Sequence, residues 1–377
     1  MSTINILSLD GGGMRGYISA LFLQKFVELW GVDPSQLFKQ FNVIAGTSVG
    51  GIQALGYAYG MTPTDLQKFF VEDGPWIFST SSTTPGIRAT TLDKISTMVF
   101  GGSFYSNSNL IARLNDEFGT ETLQDMKTNV LITSCNYNLN NPSYAQKAIP
   151  ILFSNANVPG YTGRNQLAAD VALATASAPL YFPAANFDKL NFVDGGIIQN
   201  NPVQLALSLG QALYPQADRY CVLSVGTGIG DIGFPPSATL PPSSSSAKTK
   251  ARKLDEALFK ARPEFVLTKP FTAEQVDTLK KMYSNGAFDN MYILMDLIDI
   301  EIAGPQEAMA FNLGIQANLT LQNNIYYYRF NLGLDPNQDT EMDNTSAEFM
   351  EYMETATAQR INDDIDRITN FIGHLNA

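Results

Sequence analysis

Up to about residue 230 the chain alternates short unbroken apolar runs with stretches of helical periodicity. Ile4–Leu9 is of strand length and ends at a cluster of glycines. In Tyr17–Trp30, residues Ile18, Leu21, Phe22, Phe26 and Leu29 recur at helical spacing, which predicts an amphipathic helix. Phe41–Ala45 reads as a second strand, Gly50–Tyr59 as the helix after it, and Thr64–Phe70 as the start of another helix. Val130–Ser134 and Tyr220–Val225 are further strands, and Leu190–Val193 is a short apolar run that stops at an acid. Strands apolar on both faces and separated by helices predict an α/β fold with a mainly parallel central sheet, helices covering both sides in three layers.

The segment 235–246, rich in proline and serine, interrupts this pattern with loop or lid composition. A basic cluster follows (Lys248, Lys250, Arg252 and Lys253), readable as a contact for lipid or as a solvated helix start. Helical sequence then dominates over 253–258, 273–282 and 290–302. Asn324–Leu332 reads as a late strand that brings the chain back to the same sheet. Ser346–Leu375 reads as a closing helix with an interruption, capped by Thr345 or Ser346. The expected organisation is a catalytic unit over 1–335, carrying the 235–246 loop and a helical insertion at about 250–320. An acidic helical segment, 336–377, packs on the same unit as a C-terminal addition.

Length and composition narrow the field. The chain has 377 residues, 45% of them hydrophobic, and a formal net charge of −12, which argues against a nucleic-acid polymer as partner. From Asp335 to Ala377 there are ten acids and two bases; this reads as a solvated helical face. No apolar run approaches the ~20 residues of a membrane-spanning helix. The N-terminus enters a strand without a basic region or separate apolar core, so no secretory signal peptide is expected. Cys135 and Cys221 lie in strand-like runs and read as buried free thiols, compatible with a reducing compartment. Two cysteines and one histidine, His374 close to the C-terminus, predict no metal site.

Three glycine motifs carry the chemistry. Gly46-Thr47-Ser48-Val49-Gly50, between a strand and a helix, is a nucleophile elbow presenting Ser48. Asp10-Gly11-Gly12-Gly13-Met14-Arg15-Gly16 also joins a strand to a helix. Gly11, Gly13 and Gly16 match a dinucleotide fingerprint, but that site needs an acid at the end of a second strand about 20 residues on. Glu28 lies within a helix and Asp33 precedes Pro34. The other reading is an oxyanion hole, with the Gly12 and Gly13 amides as donors. Arg15 either forms a structural salt bridge, anchors this loop or meets a phosphate. Asp194-Gly195-Gly196 alone is a tight turn. Beside an elbow serine and with no histidine nearby in sequence, Asp194 becomes the candidate base. A carboxylate is weakly basic at its ordinary pKa of about 4, and burial would raise it.

These three motifs, in this order, resemble the patatin-like phospholipases. Ala174–Pro183 and Ser224-Val-Gly-Thr-Gly228 extend the resemblance, which covers about residues 4 to 230. It implies the patatin-like fold and a Ser48–Asp194 dyad. The oxyanion loop would be Gly11, Gly12 and Gly13, with Arg15, Gly16, Gly46, Gly50, Gly195 and Gly196 in support. It also implies phospholipase A type acyl hydrolysis of phospholipids or other acyl esters through an acyl-enzyme, without metal or cofactor. Membrane contact would be peripheral, through an apolar rim at the cleft. Phe22, Tyr57, Phe69, Trp76, Phe78, Leu180, Tyr181 and Phe182 are candidates to line an acyl pocket, each more readily read as plain core. The family includes tuber storage proteins, so a storage protein or small-ester hydrolase is the alternative. It also includes bacterial effectors injected into host cells and enzymes switched on by a cyclic nucleotide. That implies a regulated effector, cytoplasmic or translocated, with a small-molecule or protein activator and a gate, for which 235–246 and the C-terminal helices are the candidates.

Overall fold

Residues 2–81, 83–90, 93–94, 97, 102–136, 149–229, 324–335 and 337–376 are described by a computed structural model. The 235–246 segment, the basic cluster and the helices expected over 253–258, 273–282 and 290–302 lie outside the described residues. β1 (Thr3–Leu9) leads into α1 (Gly16–Trp30), and β2 (Val43–Thr47) into α2 (Val49–Tyr59) and α3 (Pro63–Lys68). After α4 (Ser108–Phe118) come β3 (Asn129–Asn136), β4 (Ile149–Ser154) and α5 (Ala168–Ala176). β5 (Ala185–Phe187) and β6 (Leu190–Asp194) form a hairpin, followed by α6 (Val203–Leu213) and β7 (Arg219–Val225). β8 (Ile325–Phe330), α7 (Ala347–Asp363) and α8 (Ile365–Leu375) follow.

Among the described residues these strands form one eight-stranded sheet in the order β5-β6-β3-β2-β1-β7-β8, with β4 also paired to β3. β1, β2, β3, β7 and β8 are mutually parallel. β4, β5 and β6 add antiparallel pairings at the β3 side. The two-residue alternation of side chains sorts the apolar strands onto two cores. Ile4, Ile6, Val43, Ala45, Leu131 and Val222 face α6. Leu7, Leu9, Ile44, Val130, Ile132 and Leu223 face the core shared by α1, α2, α5 and the terminal helices. Helices on both sides of a mainly parallel sheet make this the expected α/β architecture.

The terminal helices pack on the same core through Phe349, Met353, Ile368 and Phe371. Ser346 caps α7, accepting the Phe349 amide at 3.3 Å. The interruption falls at Asp364, which accepts the Tyr328 hydroxyl at 3.0 Å and pairs with Arg360 and Arg367. The acidic end differs from the expected solvated face in two places. Asp343 and Asp364 are buried, and Asp339, Glu341 and Asp343 all pair with Arg88. Lys94 joins Glu341 and Asp343. No helix among the described residues is long and apolar enough to cross a membrane.

Candidate active site

Two strands share one edge of β3, and their meeting point builds the site. β2 pairs with β3 as far as Thr47 opposite Thr133, while β4 occupies the other edge along Leu131–Asn136. β6 also pairs at Ser134–Asn136, so it continues the edge that β2 has left, running in the opposite direction. The C-terminal ends of β2 and β6 therefore converge, with Asp194 opposite Ser134 and Ser48 one residue past Thr47. Thr47 Oγ1 ties the junction, bonded to Thr133 Oγ1 at 2.6 Å and to the Gln199 carbonyl at 2.7 Å. A Cβ on Gly195 would lie 2.3 Å from Thr133 Oγ1 and 2.5 Å from the Thr133 carbonyl oxygen, so only glycine passes this close.

Ser48 has φ 56 and ψ −131, a strained conformation for a side-chain-bearing residue of the kind stored at functional sites. The elbow is tight because a Cβ on Gly46 would overlap the Gly50 carbonyl at 2.0 Å. One on Gly50 would meet the Leu9 carbonyl at 2.4 Å. The Ser48 amide donates to the buried Thr175 Oγ1 at 2.8 Å. The Ser48 side chain lies beside the Asp194 carboxyl in the wall of the same cavity. Burial pushes the Asp194 carboxyl up to about 6, opposed by the neighbouring Ser48 side chain and by a hydrogen bond from the Gly196 amide. The latter reaches Asp194 Oδ1 at 2.7 Å.

The Asp10–Gly16 loop lies at the neighbouring end of β1. Its Gly11 amide donates to the Asn200 carbonyl at 3.2 Å. Of the three glycines read as oxyanion donors, Gly11 is thus already engaged. Gly12 and Gly13 line the pocket beside Ser48, and their amides find no partner among the described residues. Gly13, at φ +57, precedes the Met14 amide, which donates to the Met342 carbonyl at 2.8 Å. Arg15 turns back on the loop, its Nε 3.4 Å from the Gly12 carbonyl. Gly16 packs against Val49 and Phe70, joining this loop to the elbow helix.

The cavity over these groups measures about 260 Å³ and is lined mainly by apolar side chains, with Ser48 and Asp194 in its wall. Of the lining candidates, Phe69, Phe78, Tyr181 and Phe182 border it. Phe22 and Tyr57 are buried core instead, and Trp76 is exposed. Leu180 is not among the lining residues.

The sequence model of the family described as Patatin-like phospholipase matches residues 7–207. The chain belongs to this family. A "cGAMP-activated phospholipase" of Pseudomonas aeruginosa (strain BWHPSA011 / Pa011) is 32% identical over 228 residues, covering 60% of this chain and 62% of that protein. "Patatin-like protein 2" of Oryza sativa subsp. indica is 30% identical over 239 residues, 58% of this chain and 54% of its own. The match therefore spans somewhat more than half the length of these relatives. The crystal structure of VipD from Legionella pneumophila aligns with 96% of this chain and 67% of its own, at 12% identity and a TM-score of 0.39.

In this member of the family the site also uses residues that the sequence motifs do not mark. Asn200 and Thr227 hold the Gly11 carbonyl, Thr227 Oγ1 at 2.7 Å and Asn200 Nδ2 at 3.4 Å. Thr175 lies within the Ala174–Pro183 stretch already quoted, but nothing there marks it as the partner of Ser48. Met342 and Arg329 come from the far end of the chain, where no motif signals them. His374 is remote from the site. Its ring stacks on Tyr326 at 4.1 Å, and Tyr326 pairs with Cys221 four residues before the end of β7, about 13 Å back along the strands.

Proposed function

We propose that this chain is a serine lipid acyl hydrolase of the phospholipase A type. Ser48 is the nucleophile and Asp194 the base. The observation that carries this reading is the convergence of Ser48, at its strained elbow, and the buried Asp194 in the wall of one apolar cavity that also exposes Gly12 and Gly13. Ser48 Oγ attacks the ester carbonyl as Asp194 accepts its proton. The free amides of Gly12 and Gly13, aided by the N-terminus of α2, hold the oxyanion. Asp194 returns the proton to the departing lysolipid or alcohol. Water then hydrolyses the acyl-enzyme, with Asp194 again taking a proton.

The membrane side of this reading rests on the cavity's surroundings. Val71, Trp76 and Ile197 are exposed at 50%, 39% and 49%. Each lines the cavity or neighbours a residue that does. Large apolar side chains around an acyl-binding cavity suit peripheral contact with a lipid surface. We also read the enzyme as a regulated effector, supported by relatives named cGAMP-activated phospholipase in Pseudomonas aeruginosa and Vibrio cholerae.

The test is fatty-acid release from mixed phospholipid vesicles by wild type, Ser48→Ala and Asp194→Asn, each with and without cGAMP. The expected outcome is release by wild type that falls on the order of a thousandfold in both variants, with cGAMP raising the wild-type rate. Activity retained by Asp194→Asn would mean that another group is the base. No release by folded wild type under either condition would remove the lipid-hydrolase reading.

A further inference from the structure

Arg329 sits in β8, well beyond the residues matched by the family model. β8 pairs with β7, and β7 with β1, so that Arg329, Ser224 and Ser8 fall in one row across three strands. The Arg329 side chain reaches along this row toward β1. Its Nη1 donates to Ser224 Oγ at 2.9 Å, and its Nη2 meets Asp10 Oδ2 at 2.8 Å. Asp10 is fully buried, while the Arg329 side chain keeps only 10% exposure. Asp10 is the residue directly before Gly11, and the Asp10 amide is bonded to the Val225 carbonyl at 3.0 Å.

We propose that Arg329 is a positioning residue for the oxyanion loop. It cancels the buried Asp10 charge and fixes the start of the Gly11–Gly13 turn. Two physical consequences support this. An uncompensated carboxylate in a low-dielectric interior acts at long range. Next to amides meant to hold a developing oxyanion, the Asp10 charge alone would oppose the reaction that Gly12 and Gly13 assist. The planar guanidinium also makes two contacts at once. It ties Asp10 and Ser224 in one geometry, and the loop inherits its place at the end of β1 from that tie. The catalytic machinery of this chain therefore extends to a strand that follows the family-matched segment. This inference rests on the proposed role of Gly12 and Gly13 as oxyanion donors.

The experiment uses the full-length chain, with Arg329→Lys, Arg329→Met, Asp10→Asn and the double variant Asp10→Asn/Arg329→Met. Two readouts are taken: kcat and KM for ester hydrolysis, and amide hydrogen exchange of the peptide spanning Leu9–Arg15. Arg329→Met should lower kcat by about ten- to a hundredfold, less than the ~100- to 1,000-fold of losing an oxyanion donor outright, with KM within about twofold. Exchange of the loop peptide should quicken. Arg329→Lys, which keeps the charge but not the fork, should recover part of both effects. Asp10→Asn should restore kcat in the Arg329→Met background, because the charge that Arg329 offsets is then removed as well. If Arg329→Met does not fold, Arg329→Lys carries the test through a lowered kcat with unchanged KM.

Wild-type kcat and exchange in Arg329→Met would overturn the proposal. So would a double variant no faster than Arg329→Met, which would make the arginine a packing element only. If wild type hydrolyses no ester, the hydrolase reading fails, and loop exchange in Arg329→Lys and Arg329→Met still decides whether Arg329 holds the loop.

Discussion

Burial makes Asp194 usable as a base. Its carboxyl is held at about 6, mainly because the ionised form is poorly solvated. Below that pH the group is protonated and cannot accept the Ser48 proton; above it the carboxylate is available. Ser48-dependent kcat/KM should therefore rise with pH through a midpoint near 6 and then level. A pH–rate profile on a soluble ester checks this, and a midpoint near 4 would mean that Asp194 is solvated in the working enzyme. Ser48 itself depends on Thr175. Thr175→Val keeps the shape but removes the acceptor of the Ser48 amide. A buried donor left unmade costs about 1–3 kcal/mol, so the denaturation midpoint should drop by that equivalent. Unchanged stability would mean that the elbow needs no such tie.

Among elements, the shared edge of β3 decides the site. β2 and β6 approach along it from opposite directions and stop where Thr133 gives way to Ser134. Gly195→Ala should push β6 off this edge, since the clash is partly with backbone at Thr133. The expected result is loss of ester hydrolysis at retained secondary structure, measured by kinetics and circular dichroism together; full activity would show that the edge can spread. The strands whose apolar runs are longest, β1, β2, β3 and β7, were readable in the chain because both of their faces are buried. β4 and β5 were not. β4 carries an apolar run, Ile149–Phe153, but Pro150 within it argues against a strand, and its start is exposed. β5 is three residues long and closes on β6 through Asp188 and Lys189, both at positive φ and without the glycine or asparagine that usually signals such a turn.

At the level of the whole molecule, the chain's two ends close around the cavity. Met342 borders it, and its carbonyl accepts the Met14 amide beside the oxyanion loop. That carbonyl lies in a segment held by Arg88 and Lys94, which together pair with Asp339, Glu341 and Asp343. Tyr105 adds a hydroxyl to Asp343 at 2.6 Å. Arg88→Met leaves the buried Asp343 with Lys94 and the Tyr105 hydroxyl. It should destabilise the protein by about 2–3 kcal/mol, less than a fully buried pair because Asp339 and Glu341 face solvent. It should also lower kcat through Met342. Chemical denaturation and kinetics on the same variant check both, and a change in neither would make the cluster incidental. Membrane contact is tested at this scale as well. In the inactive Ser48→Ala background, adding Trp76→Ala and Val71→Asp should weaken sedimentation with phosphatidylcholine vesicles several-fold, and undiminished binding would place the contact elsewhere.

Local patterns were enough to determine the α/β class, the elbow at Ser48 and the glycine loop at Gly11–Gly13. Each of these is encoded in neighbouring residues: buried strands need continuous apolar runs, and tight turns need glycine. The scarcity of histidine directed attention to Asp194, though as an inference by elimination. Tertiary structure alone decided which residues touch. The register along one edge of β3 brings Asp194 to Ser48. Three paired strands carry Arg329 to Asp10, and an ion cluster sets Met342 against Met14. Such contacts depend on strand order and crossover, which leave no mark on the spacing of residues along the chain.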